Sequence, residues 1–173
     1  MIKKLYPNGK AKAFNVSYDD GVLQDERFIK LLNTYNLKGT FNLNSGLMEN
    51  EFEWKHESGC IVKLLSKDNV LPLYNGHEVA SHTLTHPFMN NLAESRILHE
   101  MQEDKKNLEK LFGRQIKGFA VPFDYYSDLI EFCTKKQALN TPEFPKKVYP
   151  LHRNLIITDG RQQFFTLTIH LKN

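Results

Sequence analysis

Two neighbouring carboxylates, Asp19 and Asp20, stand directly before Gly21, and two histidines lie four residues apart in His82-Thr83-Leu84-Thr85-His86-Pro87. Histidines at that spacing share one face of a helical turn and can reach a single cation. Pro87 and the flanking threonines point to a tight loop rather than a long helix. At a strand end the turn lets both carboxylates enter one pocket, where one can ligate a metal and the other accept a proton. One carboxylate with two imidazoles is a ligand set of catalytic zinc sites and leaves a position open for water or substrate. Bound zinc lowers the pKa of its water to roughly 7 and polarises a carbonyl. The second carboxylate then serves as general base, and a distant histidine such as His170 can protonate a leaving amine or alcohol. The chemistry these residue types could perform is therefore metal-assisted hydrolysis. Each feature also has a plainer reading: an Asp-Asp-Gly turn is commonly only a turn, and two histidines near a turn can be simple surface residues.

The elements that must position these residues follow from periodicity. Ala13, Phe14, Val16 and Tyr18 mark a strand over 11–18 that ends at the carboxylates. Val22, Leu23, Phe28, Ile29, Leu31 and Leu32 give a helical face, and Leu37 to Leu43 forms a second strand. Residues 46–59, with the single tryptophan Trp54, form an irregular excursion in which Trp54 is a packing anchor or, alternatively, reaches the site from this loop. A helix is expected over 60–74, ended or distorted by Pro72, with Asn75-Gly76 as the stop. Glu78 to Ser81 is a short strand delivering His82. The longest helix runs over 92–112 and stops at Gly113. A strand over 117–121, a helix over 128–137 capped by Ser127, a long proline-punctuated loop over 140–153, and strands over 155–158 and 164–170 complete the chain. Strands alternating with helices predict an α/β domain with a mainly parallel sheet, whose chemistry gathers at the carboxyl ends of the strands. Asp19-Asp20, His82 and His170 each fall at such an end.

The chain has 173 residues, 40% hydrophobic and 25% charged, which suits one globular domain spanning 1–173. A net charge of +3, with lysines in short pairs such as Lys105-Lys106, predicts no nucleic-acid partner. Cys60 and Cys133 are far apart and form neither a disulfide framework nor a thiolate zinc site. No apolar run long enough for a signal peptide or a membrane span is visible, so a cytoplasmic location and no membrane partner are expected.

The motifs together resemble the polysaccharide deacetylase family, carbohydrate esterase family four, with its NodB-homology-type domain. Ser17-Tyr18-Asp19-Asp20-Gly21 is similar to its first motif, Thr-Phe-Asp-Asp-Gly. His82-Thr83-Leu84-Thr85-His86 is similar to its second, and Gly39-Thr40-Phe41-Asn42 to its second strand. The resemblance implies a distorted, incomplete (β/α)7-type barrel with mainly parallel strands. It implies removal of acetyl groups from an N- or O-acetylated carbohydrate. Asp19 would be the catalytic base, and Asp20, His82 and His86 the ligands of Zn2+ or of Co2+, Ni2+ or Fe2+. The Phe123 backbone amide would serve the oxyanion. Leu167-Thr168-Ile169-His170 would match the family's late Leu-x-x-His motif and make His170 the general acid. Tyr125 and Tyr126 would line the substrate groove. The alternative substrates are a small non-sugar amide, for an amidase or deformylase, or none, for a catalytically impaired metal-binding relative.

The sequence departs from the family pattern in three places. Ala120-Val121-Pro122-Phe123 stands where the third motif carries an arginine, so Asp19 is expected to be less firmly oriented unless Arg153 or Arg161 substitutes. The tryptophan-bearing fourth motif is not recognisable. The resemblance fades from about residue 138, and only Leu171, Lys172 and Asn173 follow His170. Either the chain is truncated there, or a second copy covers the open barrel edge in a homo-oligomer.

Overall fold

The computed structural model describes residues 12–48, 53–56, 59–124, 127–140, 147–149 and 166–171. Its strands are β1 (Lys12–Asp19), β2 (Thr40–Leu43), β3 (Glu53–Lys55), β4 (Ile61–Lys63), β5 (Glu78–Ser81), β6 (Gly118–Ala120), β7 (Lys147–Tyr149) and β8 (Thr166–Leu171). Its helices are α1 (Asp25–Thr34), α2 (Lys67–Leu73), α3 (Glu94–Phe112) and α4 (Asp128–Asn140). One six-stranded sheet runs in the order β7-β6-β5-β2-β1-β8, and β3 pairs with β4 in a separate two-stranded sheet. Every neighbouring pair in the large sheet is parallel except β1 with β8. The architecture is a curled half-barrel of α/β type, as the alternation of periods predicted.

β2 lies at the centre, with all four residues buried, so its side chains are covered on both faces. Phe41 carries most of this packing. Its ring meets Phe28 of α1 at 6.1 Å, Tyr74 at 4.9 Å and His77 at 5.5 Å between centroids. Leu43 and Phe119 are fully buried beside Ile97, Met101 and Leu108 of α3 and Ile130 of α4. Burying each such side chain contributes roughly 1.5–3 kcal/mol. Gly113 ends α3 in the left-handed conformation at φ 61°, as its position after the last apolar residue predicted. Ser127 caps α4, its Oγ accepting from the Ile130 amide at 3.3 Å.

Three expectations are corrected. Residues 46–59 are not all irregular, because β3 sits within them and pairs with β4, setting Trp54 opposite Val62. The helix expected over 60–74 is confined to α2. Ile61 and Val62 are β-branched and lie in β4, where cross-strand pairing outweighs the helical spacing. β7 interrupts the proline-punctuated loop and extends the parallel sheet beside β6. The strand expected over 155–158 lies outside the described residues. No helix among the described residues is long and apolar enough to cross a membrane.

Beneath the first motif, Asp25 is completely buried at the start of α1 and accepts a hydrogen bond from the Tyr74 hydroxyl. Burial pushes the Asp25 carboxyl well above the usual carboxylate range. Its Oδ1 has no partner among the described residues. Tyr74→Phe should therefore strip this buried carboxyl of its side-chain hydrogen bond and cost about 1–3 kcal/mol, read from urea unfolding midpoints. A variant as stable as the wild type would show that this hydrogen bond contributes nothing net.

Candidate metal centre

The site forms where β1, β5 and β6 end. β1 and β2 run in register, pairing Ser17 with Thr40 and Asp19 with Asn42. The Asp20 amide still donates to the Asn42 carbonyl at 3.0 Å, after which the chain turns sharply. Asp20 holds φ 75° and Gly21 φ 67°. Glycine is needed at 21, since an added Cβ would lie 3.0 Å from Leu43 Cδ2. At the end of β5, Thr83 (φ 73°) and His86 (φ 52°) bend the chain into a tight loop, and Phe123 (φ 60°) follows β6 in the same region of backbone space. Four non-glycine residues in the left-handed region around one pocket mark a place where local backbone preference gives way to positioning.

These turns bring together the three residues expected to ligate a metal. Asp20 Oδ1 lies 3.4 Å from His86 Nε2 and 3.8 Å from His82 Nε2. Donor atoms of Asp20, His82 and His86 all lie within 4.8 Å of one another. His82 is almost wholly buried, with Nδ1 3.0 Å from the Ala120 carbonyl oxygen. A carbonyl only accepts, so the ring proton sits on Nδ1 and the Nε2 lone pair faces Asp20. This backing by an outer hydrogen bond is how metal-ligating histidines are commonly oriented. Burial pushes the Asp20 carboxyl upward despite the two histidines, and burial together with His82 holds the His86 imidazole below its usual range. The donor set, its spacing and the tautomer fit a divalent cation.

Asp19 stands beside this cluster, with Oδ2 3.9 Å from His82 Nε2. Its other oxygen accepts from Asn42 Nδ2 at 2.6 Å, and that same amide nitrogen donates to Ser17 Oγ at 2.8 Å. Asn42 thus orients Asp19 from β2, in a fold whose third motif offers no arginine. The register Asp19↔Asn42 was the signal that could have found it, since paired strand ends place their side chains side by side. Arg153 and Arg161 lie outside the described residues.

A cavity of about 490 Å³ opens onto Asp20 and His86, walled by Leu47, Trp54, Leu64, Thr85 and Phe123. Trp54 therefore reaches the site, carried by the β3–β4 hairpin, rather than serving only as a remote packing anchor. A bridge between Val22 and Leu64, and hydrogen bonds from the Leu23 amide to the Lys63 carbonyl (2.9 Å) and from the Leu65 amide to the Gly21 carbonyl (2.8 Å), fasten the segment after the hairpin to the carboxylate turn. Phe123 packs edge-on to His86 at 4.6 Å and against Phe88 at 5.7 Å.

His170, expected as the general acid, lies in β8. It pairs with Ala13, six positions before Asp19, so it stands about 20 Å from the carboxylates along β1 at roughly 3.3 Å per residue. Because β8 is antiparallel to β1, the C-terminal end of β8 lies beside the start of β1, away from the strand ends that carry the ligands. This placement gives no support to His170 as a general acid. Tyr125 and Tyr126 lie outside the described residues.

A family model described as polysaccharide deacetylase matches residues 7–141. The uncharacterised protein YlxY of Bacillus subtilis is 26% identical over 137 residues, covering 79% of this chain and 39% of YlxY. Among solved structures, the Streptococcus pyogenes deacetylase PplD in complex with acetate matches at a TM-score of 0.59 and 21% identity, over 69% of this chain and 50% of PplD. BA3943, a CE4 family pseudoenzyme from Bacillus anthracis, matches at a TM-score of 0.55 and 18% identity, over 83% of this chain and 44% of that one. The chain spans half or less of the length of each of these relatives. With a match over most of its length and motifs folded into one pocket, the chain belongs to the polysaccharide deacetylase family.

Proposed function

We propose that this chain is a metal-dependent hydrolase that removes acetyl groups from an N- or O-acetylated carbohydrate. The observation that carries the proposal is the Asp20–His82–His86 cluster with Asp19 beside it, Asp20 and His86 opening onto one cavity. Asp20, His82 and His86 would hold Zn2+ or another divalent ion, which when bound polarises a carbonyl and lowers the pKa of a coordinated water to roughly 7. Asp19, oriented by Asn42, takes the proton of the attacking water. The Phe123 amide would donate to the oxygen that becomes negative as the carbonyl carbon turns tetrahedral. With His170 paired to the start of β1, Asp19 would also return its proton to the departing nitrogen or oxygen. Water's hydroxyl then resides on the acetate, and its proton on the sugar amine or alcohol. Trp54, Phe123 and Phe88 offer ring faces and edges against which a sugar or an acetyl methyl can pack.

A second reading, an amidase acting on a small non-sugar amide, is favoured by one observation. Four of the seven cavity-lining residues are apolar: Leu47, Trp54, Leu64 and Phe123. Acetate release from N-acetylated chito-oligosaccharides and O-acetylated xylo-oligosaccharides, measured beside hydrolysis of small formamides and acetamides, separates the two. Turnover of the oligosaccharides is expected. Turnover confined to the small amides would replace the carbohydrate reading. A chain that binds metal and turns over nothing would place it with the catalytically impaired relatives.

A further inference from the structure

The loop 82–86 is held by two buried carboxylates that the proposed chemistry does not use. Glu100 and Asp104 lie one turn apart on α3, and both are fully buried. Glu100 accepts from the Thr85 amide at 2.8 Å through Oε2, and from Thr85 Oγ1 at 2.9 Å and Arg96 at 2.7 Å through Oε1. Asp104 accepts from the Ser45 amide at 2.7 Å through Oδ1, and from Ser81 Oγ at 2.5 Å and the His82 amide at 3.2 Å through Oδ2. One carboxylate grips the chain at His82, and the other grips it one residue before His86.

Backbone groups of the loop are engaged as well. Asn44 Nδ2 donates to the His82 and Thr83 carbonyls, at 2.5 and 2.9 Å. The Leu84 amide donates to the Glu100 backbone carbonyl at 3.2 Å, and the Gly46 amide to the Leu84 carbonyl at 3.0 Å. Gly46 is needed for that approach, because an added Cβ would lie 2.6 Å from the Leu84 carbonyl oxygen. A loop with two residues at positive φ does not hold its shape from local preference. Its shape is imposed by α3 on one side and by the segment after β2 on the other.

We infer that Glu100 and Asp104 are positioning residues that clamp His82 and His86 in ligating geometry, acting through the Ser81, His82 and Thr85 donors. The inference rests on reading Asp20, His82 and His86 as a metal centre. Asp104→Asn and Glu100→Gln keep size and shape, but whichever oxygen becomes NH2 then faces a backbone amide or the Arg96 guanidinium, neither of which can accept. Ser81→Ala removes one strut and leaves every charge in place, which separates positioning from loss of negative potential. Each full chain is titrated with Co2+, following dissociation constant and visible absorption, and its metal-free unfolding midpoint is measured alongside.

Losses of roughly 10–100-fold in Co2+ affinity are expected for Asp104→Asn and Glu100→Gln, with a changed absorption band, and a smaller loss for Ser81→Ala. If Asp104→Asn does not fold, Glu100→Gln decides the question on the same measurements. Folded variants that bind Co2+ with wild-type affinity and spectrum would overturn the clamp while leaving the metal centre standing. A wild type that takes up no Co2+ would overturn both.

Discussion

Asp19→Asn is expected to keep its metal and lose its turnover, with acetate release falling about 10^2–10^4-fold, the range by which a positioned general base contributes. Asparagine has the shape of aspartate, and its carbonyl oxygen can still accept from Asn42, which lies 2.6 Å from Asp19 Oδ1. The Asp20 amide bond to Asn42 at 3.0 Å is untouched, so the ligand loop keeps its path. What disappears is the acceptor for a proton. Metal content by elemental analysis and acetate release on the same sample separate the two roles. A variant that turns over at the wild-type rate would move the base elsewhere, and one that loses metal together with activity would make Asp19 a ligand.

His82→Ala should have the opposite signature, losing the metal first. His82 is nearly inaccessible, fixed between the Ala120 carbonyl and Asp20, and it supplies one of only three donors among the described residues. Its removal exceeds the loss of an outer-shell partner, which costs roughly 10–100-fold. The expected drop in Zn2+ affinity is about a thousandfold or more, on the order of 4 kcal/mol. Thermal unfolding checks it. Zinc at about 100 times its dissociation constant stabilises the folded wild type by roughly 2.7 kcal/mol. The variant at the same zinc concentration should show almost no shift. An equal shift in both proteins would remove His82 from the ligand set.

Much of this site was legible in the sequence because its parts are local. Asp19-Asp20-Gly21 and His82 through His86 are short stretches whose side chains must point where their turns send them. The strand-helix alternation placed both at the carboxyl ends of parallel strands. What was not legible depends on neighbours distant in the chain. Asn42 orients Asp19 only because β2 lies beside β1 in one register, and an asparagine at a strand end carries no such signal alone. Glu100 and Asp104 look like ordinary polar positions on a long amphipathic helix until α3 is seen to lay that face against the histidine loop.

The places of Trp54 and His170 were hidden for the same reason. The spacing of Val62, Leu64, Leu65 and Leu73 resembled a helix, which concealed the hairpin that brings Trp54 to the cavity. His170 lies at a strand end, but its strand runs antiparallel to the others, so that end points away from the chemistry. Strand direction is a property of the pairing, and no residue within 164–170 encodes it.

The central claim is that Asp20, His82 and His86 form a divalent-metal centre. Calorimetric titration of the metal-free chain with Zn2+ tests it most directly. One equivalent of zinc per chain should bind, and that heat should vanish in His82→Ala. A folded wild-type chain that takes up no zinc, and no Co2+ or Ni2+ in its place, would contradict the claim.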